Sequence, residues 1–226
     1  MKRLLIIQTS SSYDDLPLLC ENYGDELTWF TNACGLSNNE VLPVKVYLGE
    51  SLPDLEEIQA IIIRGSVDMI SDNLPWIKRT SEWLEGAIKT NIPTLGVCFG
   101  PQLIAHTLGG IVGPTPNGAE FGTVNINKTK NAEEDILFKD LPSPFAMQVF
   151  HYESILQLPQ GAVLLAKNEM DSFHAYRYGN CIWGVQFHPE FDKKIMCHAY
   201  EVYGKDMEDA GFNVKELNET TIDNNH

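Results

Sequence analysis

The stretch from Pro93 to Gly110 reads PTLGVCFGPQLIAHTLGG: an apolar, strand-like lead-in, a cysteine flanked by glycines, and a helical pattern that closes on two more glycines. Cys98 stands between Gly96 and Gly100, so the pattern is G-x-C-x-G, the cysteine form of the strand-turn-helix nucleophile elbow. Such a turn is sharp, and a side chain two positions away on either side would crowd the backbone that presents the sulfur. Pro101 suits the first turn of a helix, where its missing N–H costs no hydrogen bond, and Gly109 and Gly110 suit the C-terminal cap. The expectation is therefore a strand that ends just before Cys98 and a helix that starts just after it. At a helix N-terminus the partial positive charge favours the thiolate, which is the attacking species. A buried structural cysteine is the plainer alternative.

Towards the N-terminus, strand-like and helix-like patterns alternate. Leu4 to Gln8 is an apolar run of the kind that forms a strand buried on both faces of a parallel sheet. Leu18, Leu19, Tyr23, Leu27, Phe30 and Cys34 recur at three- and four-residue steps, which predicts one helix stopped by Gly35. Val41 to Leu48 reads as a second strand and Ala60 to Ile63 as a third, so the segment is a crossover unit. The loop Arg64-Gly65-Ser66-Val67-Asp68 then falls beyond the carboxyl end of a strand, where open α/β sheets keep their sites. A backbone N–H with no side chain beside it approaches a reacting carbonyl closely. That makes Gly65 a candidate oxyanion donor with Phe99 N–H as the second, against the alternative of an ordinary turn glycine. Pro75 to Lys89 predicts a helix that buries Trp76, Trp83 and Leu84.

Beyond Gly110 the pattern changes to short β segments punctuated by Gly and Pro: Ile111 to Gly113, Phe121 to Ile126, Phe145 to Phe150, Ala162 to Ala166, Phe173 to Tyr178 and Cys181 to Phe187. The last of these runs into His188-Pro189-Glu190. Pro189 biases His188 towards extended geometry, and in an extended segment residues i and i+2 face the same side. The imidazole of His188 and the carboxylate of Glu190 can then meet as a base and its orienter, the alternative being a capping histidine beside a surface acid. A helix follows over Phe191 to Gly211. From Asn213 the chain is polar and acidic, and residues 212–226 read as a flexible tail or a contact arm.

The whole length, 226 residues with 43% apolar content, fits a single α/β domain with a substantial core. A formal charge of −15 repels phosphate backbones and anionic membrane surfaces, which argues against nucleic acid and membrane as partners. No run is long enough to span a bilayer. The five cysteines form no C-x-x-C pair and no zinc spacing, and with no secretory signal they point to a reducing, cytoplasmic compartment.

Gly-Val-Cys-Phe-Gly-Pro-Gln at 96–102 and Gly-Val-Gln-Phe-His-Pro-Glu at 184–190 together resemble the two signature stretches of class I glutamine amidotransferases. Arg64-Gly65-Ser66 falls where that family has its oxyanion loop, Glu120-Phe121-Gly122 resembles its Glu-x-Gly strand, and His151-Tyr152-Glu153 resembles its His-x-Asp segment near the substrate. Free-standing, GMP-synthase-like domains are the nearest in appearance. The resemblance implies a three-layer αβα sandwich around a mostly parallel central sheet, with Cys98, His188 and Glu190 as a triad. Gln102, His151 and Tyr152 are its implied substrate contacts. Two positions depart from the family pattern: Arg64 replaces a small or hydroxylic residue, and Glu153 is a methylene longer than the usual Asp. Arg64 is expected to pair with a surface acid rather than with a substrate carboxylate.

The implied chemistry is attack of Cys98 on the side-chain amide of glutamine or of a γ-glutamyl compound, through a thioester, with release of ammonia or an amine. It calls for no metal and no cofactor. The chain has no G-x-x-x-x-G-K-[ST] phosphate loop, so a synthase that used the ammonia would be a separate partner chain. The other readings are a self-contained γ-glutamyl peptide hydrolase and, from a different class, a redox or regulatory protein that uses Cys98 as a sensor.

Overall fold

Strand β1 (Arg3–Gln8) divides its side chains between two cores, as a strand covered on both sides must. Leu5 and Ile7 enter one apolar cluster and Leu4 and Ile6 the other. The computed structural model describes residues 2–11, 17–37 and 39–223. After β1 come α1 (Pro17–Tyr23) and α2 (Glu26–Ala33), where the apolar period predicts one helix. Gly24, at φ +77°, breaks it, and the Asp25 carboxylate restarts it by accepting from Thr28 N–H at 3.0 Å. The side chain of Leu19 lies outside the described set.

β2 (Val41–Lys45) pairs parallel with one edge of β1, and β3 (Ile58–Ile63) with the other. The second strand is shorter than its sequence suggests, because Val46–Leu48 winds into a 3₁₀ turn closed by Gly49 at φ +83°. Helix α3 (Pro75–Lys89) forms as its pattern predicts, with Trp76 and Leu84 buried and Trp83 half-buried, its indole donating to Pro53 O. β4 (Thr94–Val97) then joins β3 in parallel and leads through Cys98 into α4 (Phe99–Thr107).

The remaining strands are β5 (Ile111–Pro114), β6 (Glu120–Lys128), β7 (Phe145–His151), β8 (Glu153–Gln157), β9 (Ala162–Lys167), β10 (Ala175–Tyr178) and β11 (Ile182–Val185). Nine strands form one sheet in the order β2-β1-β3-β4-β11-β10-β9-β6-β7, parallel from β2 to β11 and antiparallel beyond, while β5 and β8 make a separate ribbon. β8 does not stand out in the sequence, since only Tyr152 separates it from β7. Helices α3 and α4 cover one face of the sheet through Trp76, Ile77, Leu84, Leu103 and Ile104. Phe30 of α2, with Phe145 and Phe187, packs on the other. The expected α/β architecture is thus present, and its parallel half positions the site. β3, β4 and β11 are successive neighbours running the same way, so their carboxyl ends deliver Gly65, Cys98 and His188 to one edge.

Helices α5 (Lys193–Asp209) and α6 (Val214–Thr220) complete the described chain. From Asn213 to Asp223 the chain packs on the body of the protein. Asn213 caps α6 by accepting from Glu216 N–H, and Leu217 joins the apolar cluster of Trp29, Phe121 and Tyr200. Buried Thr221 lies 2.8 Å from Tyr200 Oη, and Ile222 is held through both its backbone groups, by Thr123 and Gln148. The stretch reads as polar because one narrow face of two turns carries all its apolar contact. Residues 224–226 lie outside the described set.

Candidate active site

Cys98 is the N-cap of α4, with φ 54° and ψ −92°. A side chain in that left-handed region carries a strain on the order of 1–3 kcal/mol, which persists only when the surroundings impose it. Backbone-on-backbone packing imposes it here. A Cβ at Gly96 would stand 2.5 Å from the carbonyl carbon of Gly100, and one at Gly100 would stand 2.4 Å from Ile63 O. Both positions therefore admit glycine alone. Cys98 N–H donates to Val185 O at 2.9 Å, tying the elbow to β11, and Sγ lies 3.6 Å from Phe150 O.

His188 lies just beyond β11 and is fixed by its own N–H, which donates to Gln148 O at 2.9 Å. Its Nδ1 lies 2.6 Å from Glu190 Oε1, and its ring stacks on Phe191 with centroids 4.0 Å apart. Burial alone pushes the imidazolium towards losing its proton. The charges of Glu190 and Cys98, with side-chain hydrogen bonds to both, outweigh burial and raise the His188 pKa well above its ordinary value. His188 thus stands between Cys98 and Glu190 and interacts with both.

The loop after β3 closes over this group. A Cβ at Gly65 would lie 3.1 Å from His188 Cε1 and 3.6 Å from Cys98 Cβ, so a side chain here would press on the His188 ring. Thr9 Oγ1 donates to Gly65 O and Ser66 Oγ donates to Thr9 O, which pins the loop to the end of β1. Phe99 opens α4, and the first N–H groups of a helix have no partner within it. Gly65 and Phe99 both line a pocket of about 250 Å³ that contains Cys98 and His188.

Gln102, His151 and Tyr152 line the same pocket. The Gln102 amide nitrogen is committed to the protein, donating to Glu153 O at 2.7 Å and to Gln186 Oε1 at 3.0 Å, while Gln186 reaches back to Cys98 O at 3.4 Å. Both ring nitrogens of His151 face protein groups, with Nδ1 3.1 Å from Glu153 O and Nε2 3.2 Å from Glu120 Oε2. The same Glu120 oxygen is 3.1 Å from His174 Nε2, and Oε1 accepts from Asn168 at 2.6 Å. Burial would raise the Glu120 pKa, but His151, His174 and Asn168 together lower it to about 2. Burial and the charge of Asp206 raise that of Tyr152.

Arg64 pairs with an acid, as expected, but not with a surface one: the guanidinium is fully buried and bridges to Glu26, itself 8% exposed. Arg64 does not line the pocket; Glu26 does. Sequence reading missed Glu26, and it missed Gln186 and His174. Glu26 follows an N-cap aspartate and carries no local mark of a site. Gln186 lies inside the segment that leads to His188, where alternation in an extended chain puts it on the His188 side.

The family model described as "Glutamine amidotransferase class-I" matches residues 22–216. The chain belongs to that family. Among its amidotransferase relatives, gamma-glutamyl peptidase 3 of Arabidopsis thaliana is 30% identical over 63% of this chain and 59% of that protein. The chain thus spans about three fifths of the length of the Arabidopsis peptidase. One of the glutamine-hydrolysing GMP synthase subunits, from Methanocaldococcus jannaschii, is 31% identical over 70% of this chain and 74% of that one. A glutamine amidotransferase structure from Thermotoga maritima superposes with a TM-score of 0.77 at 24% identity, covering 97% of this chain and 89% of that one, which speaks for the fold.

Proposed function

We propose that this chain hydrolyses the side-chain amide of glutamine or of a γ-glutamyl compound through a thioester on Cys98. The observation that carries the reading is the arrangement around the elbow: Cys98 at the head of α4, His188 bonded both to it and to Glu190, and Gly65 close to both reacting side chains. In the first step the Cys98 sulfur attacks the amide carbon, and the oxyanion takes hydrogen bonds from the N–H groups of Gly65 and Phe99. His188, held as imidazolium by its neighbours, gives its proton to the departing nitrogen. Water then attacks the thioester with His188 taking its proton, and Cys98 leaves as the thiolate. Glu190 keeps the ring oriented throughout.

Membership of the amidotransferase family supports the glutaminase half of this reading, and the gamma-glutamyl peptidase relatives support a leaving group larger than ammonia. A second reading, the glutaminase component of a two-chain synthase, is favoured by the similarity to the M. jannaschii GMP synthase chain, of which this chain spans 74%. One assay separates them. The purified protein is offered glutamine and, separately, γ-glutamyl dipeptides, and ammonia, glutamate and free amino acid are measured. Dipeptide turnover by the chain alone supports the peptidase; glutamine turnover that appears only with an added synthase supports the synthase component. Hydrolysis of neither under any condition would overturn both.

A further inference from the structure

Among the described residues, three acids other than Glu26 line the pocket, Asp68, Glu153 and Asp206, and no lysine or arginine does. Two of the three are held by protein groups: Asp68 accepts from the Trp76 indole at 3.2 Å, and Glu153 from Ser71 N–H at 3.4 Å. Asp206 stands exposed towards the outer end of α5. Glu26 differs from them by its place. The point where a side chain at Gly65 would begin is 3.6 Å from Cys98 Cβ and 3.9 Å from Glu26 Oε1, so this carboxylate oxygen faces the reacting group across the glycine.

We infer that Glu26 recognises the α-ammonium group of the γ-glutamyl moiety and so restricts the enzyme to substrates that carry a free α-amine. This rests on the hydrolase reading above and names the substrate feature that reading leaves open. The length fits. In a γ-glutamyl group the α-nitrogen is four bonds from the carbonyl carbon under attack, about 5 Å when extended. A carbonyl seated at the Cys98 sulfur with its oxygen towards Gly65 and Phe99 therefore brings its ammonium within reach of a carboxylate placed where Glu26 is.

The support behind Glu26 fits as well. Its other oxygen, Oε2, is bridged by the fully buried Arg64 guanidinium, which also donates to Ser10 Oγ at 3.4 Å. A buried carboxylate needs such a counter-charge, and the Nη2 contact anchors the carboxylate through Oε2. Arg64 thus acts as a positioning residue for the acid, which gives a role to a residue that departs from the family pattern at the oxyanion loop. A buried polar group built to meet a charged substrate atom also rejects analogues that lack the atom, because the group then loses that contact.

The test compares substrate pairs that differ only at the α-amine. The wild type is given γ-glutamyl-para-nitroanilide and glutaryl-para-nitroanilide, and the protection of Cys98 from iodoacetamide by L-glutamine and by glutaramic acid is measured alongside. The expected preference for the amine-bearing member is about 100-fold in kcat/KM, and it should collapse towards parity in Glu26→Gln. Because that variant removes the acid that Arg64 bridges, Glu26→Gln is also made with Arg64→Met, and the same collapse is expected. Equal handling of both members by the wild type would overturn the inference, as would an intact preference in the variants or an equal loss on both members. Failure of the hydrolase reading looks different: neither anilide is turned over and neither amide protects Cys98, and the inference falls with it.

Discussion

His188 Nδ1 lies 2.6 Å from Glu190 Oε1, and a single proline separates the two residues in the chain. The pair is therefore built locally. His188 is held in a bridge to Gln148, and the chain turns at Pro189 and Glu190, with Phe191 N–H reaching His188 O at 3.4 Å, so the turn and not the expected extended alternation brings the carboxylate to the ring. What is not local is the third member: Cys98 arrives from β4, and it meets His188 because β11 pairs with β4 in parallel.

The short distance predicts a graded loss when the acid is changed. Glu190 makes and breaks no bond, and a cysteine relies on the third member less than a serine does, because part of the thiol is ionised near neutral pH. Glu190→Gln is expected to lower kcat about 10- to 1,000-fold. It also removes the charge that does most to raise the His188 pKa, so the His188 NMR resonance should titrate at lower pH than in the wild type. Wild-type turnover in Glu190→Gln would show that another group orients the ring.

Cys98→Ala should abolish turnover of glutamine and γ-glutamyl substrates, by several orders of magnitude, while leaving the circular dichroism spectrum intact. His188→Ala should do the same, whereas His151→Ala should mainly raise KM, since His151 contacts Glu120 and the Glu153 carbonyl rather than the sulfur. A reversal between the two histidines would reassign the proton carrier.

Glu120 gives a pH dependence of stability with a definite sign. Folding lowers its pKa from 4.5 to about 2, so between those values the unfolded chain binds the proton more readily than the folded one. Stability from this group is fully present above the unfolded value and is lost as pH falls towards 2. The shift corresponds to an amount on the order of 3 kcal/mol. Urea unfolding of wild type and Glu120→Gln between pH 3 and pH 7 should show a difference that narrows on acidification; a constant difference would refute it.

The elbow and the His-Pro-Glu segment were legible in the sequence because their constraints act within a few residues: glycines two positions from Cys98, a proline between two side chains that must meet. The parallel strands were legible as apolar runs, since β1 is covered on both faces. Glu26 and Arg64 were not, because their pairing joins residues far apart in the chain, and a charged residue in an acidic protein reads as surface until a partner buries it. The break between α1 and α2 was hidden for another reason. Leu18, Tyr23, Leu27 and Phe30 keep a helical period across Gly24, and period alone does not register a cap.

Two glycines, one at each end of α4, separate the packing of the elbow from the conformational cost of glycine loss. At Gly100 a Cβ would stand 2.4 Å from Ile63 O, so Gly100→Ala must push α4 away from β3. That displacement moves Cys98 and Phe99, which sit at the head of α4, relative to Gly65, which follows β3, and so it opens the site itself. Gly100→Ala is expected to cost about 3 kcal/mol in urea unfolding, the upper end of what overpacking a close contact costs, and to reduce kcat/KM by about 100-fold, a 1 Å misplacement being worth that much. At Gly109 a Cβ meets nothing within 4 Å, but φ is +84°. Gly109→Ala should therefore cost about 1 kcal/mol through backbone strain at the helix end, with turnover and the rate of Cys98 alkylation close to wild type. Measured side by side, the two variants should lose stability in unequal steps and activity in only one. If Gly100→Ala retains wild-type turnover, close contact between α4 and β3 is not what holds the nucleophile in place.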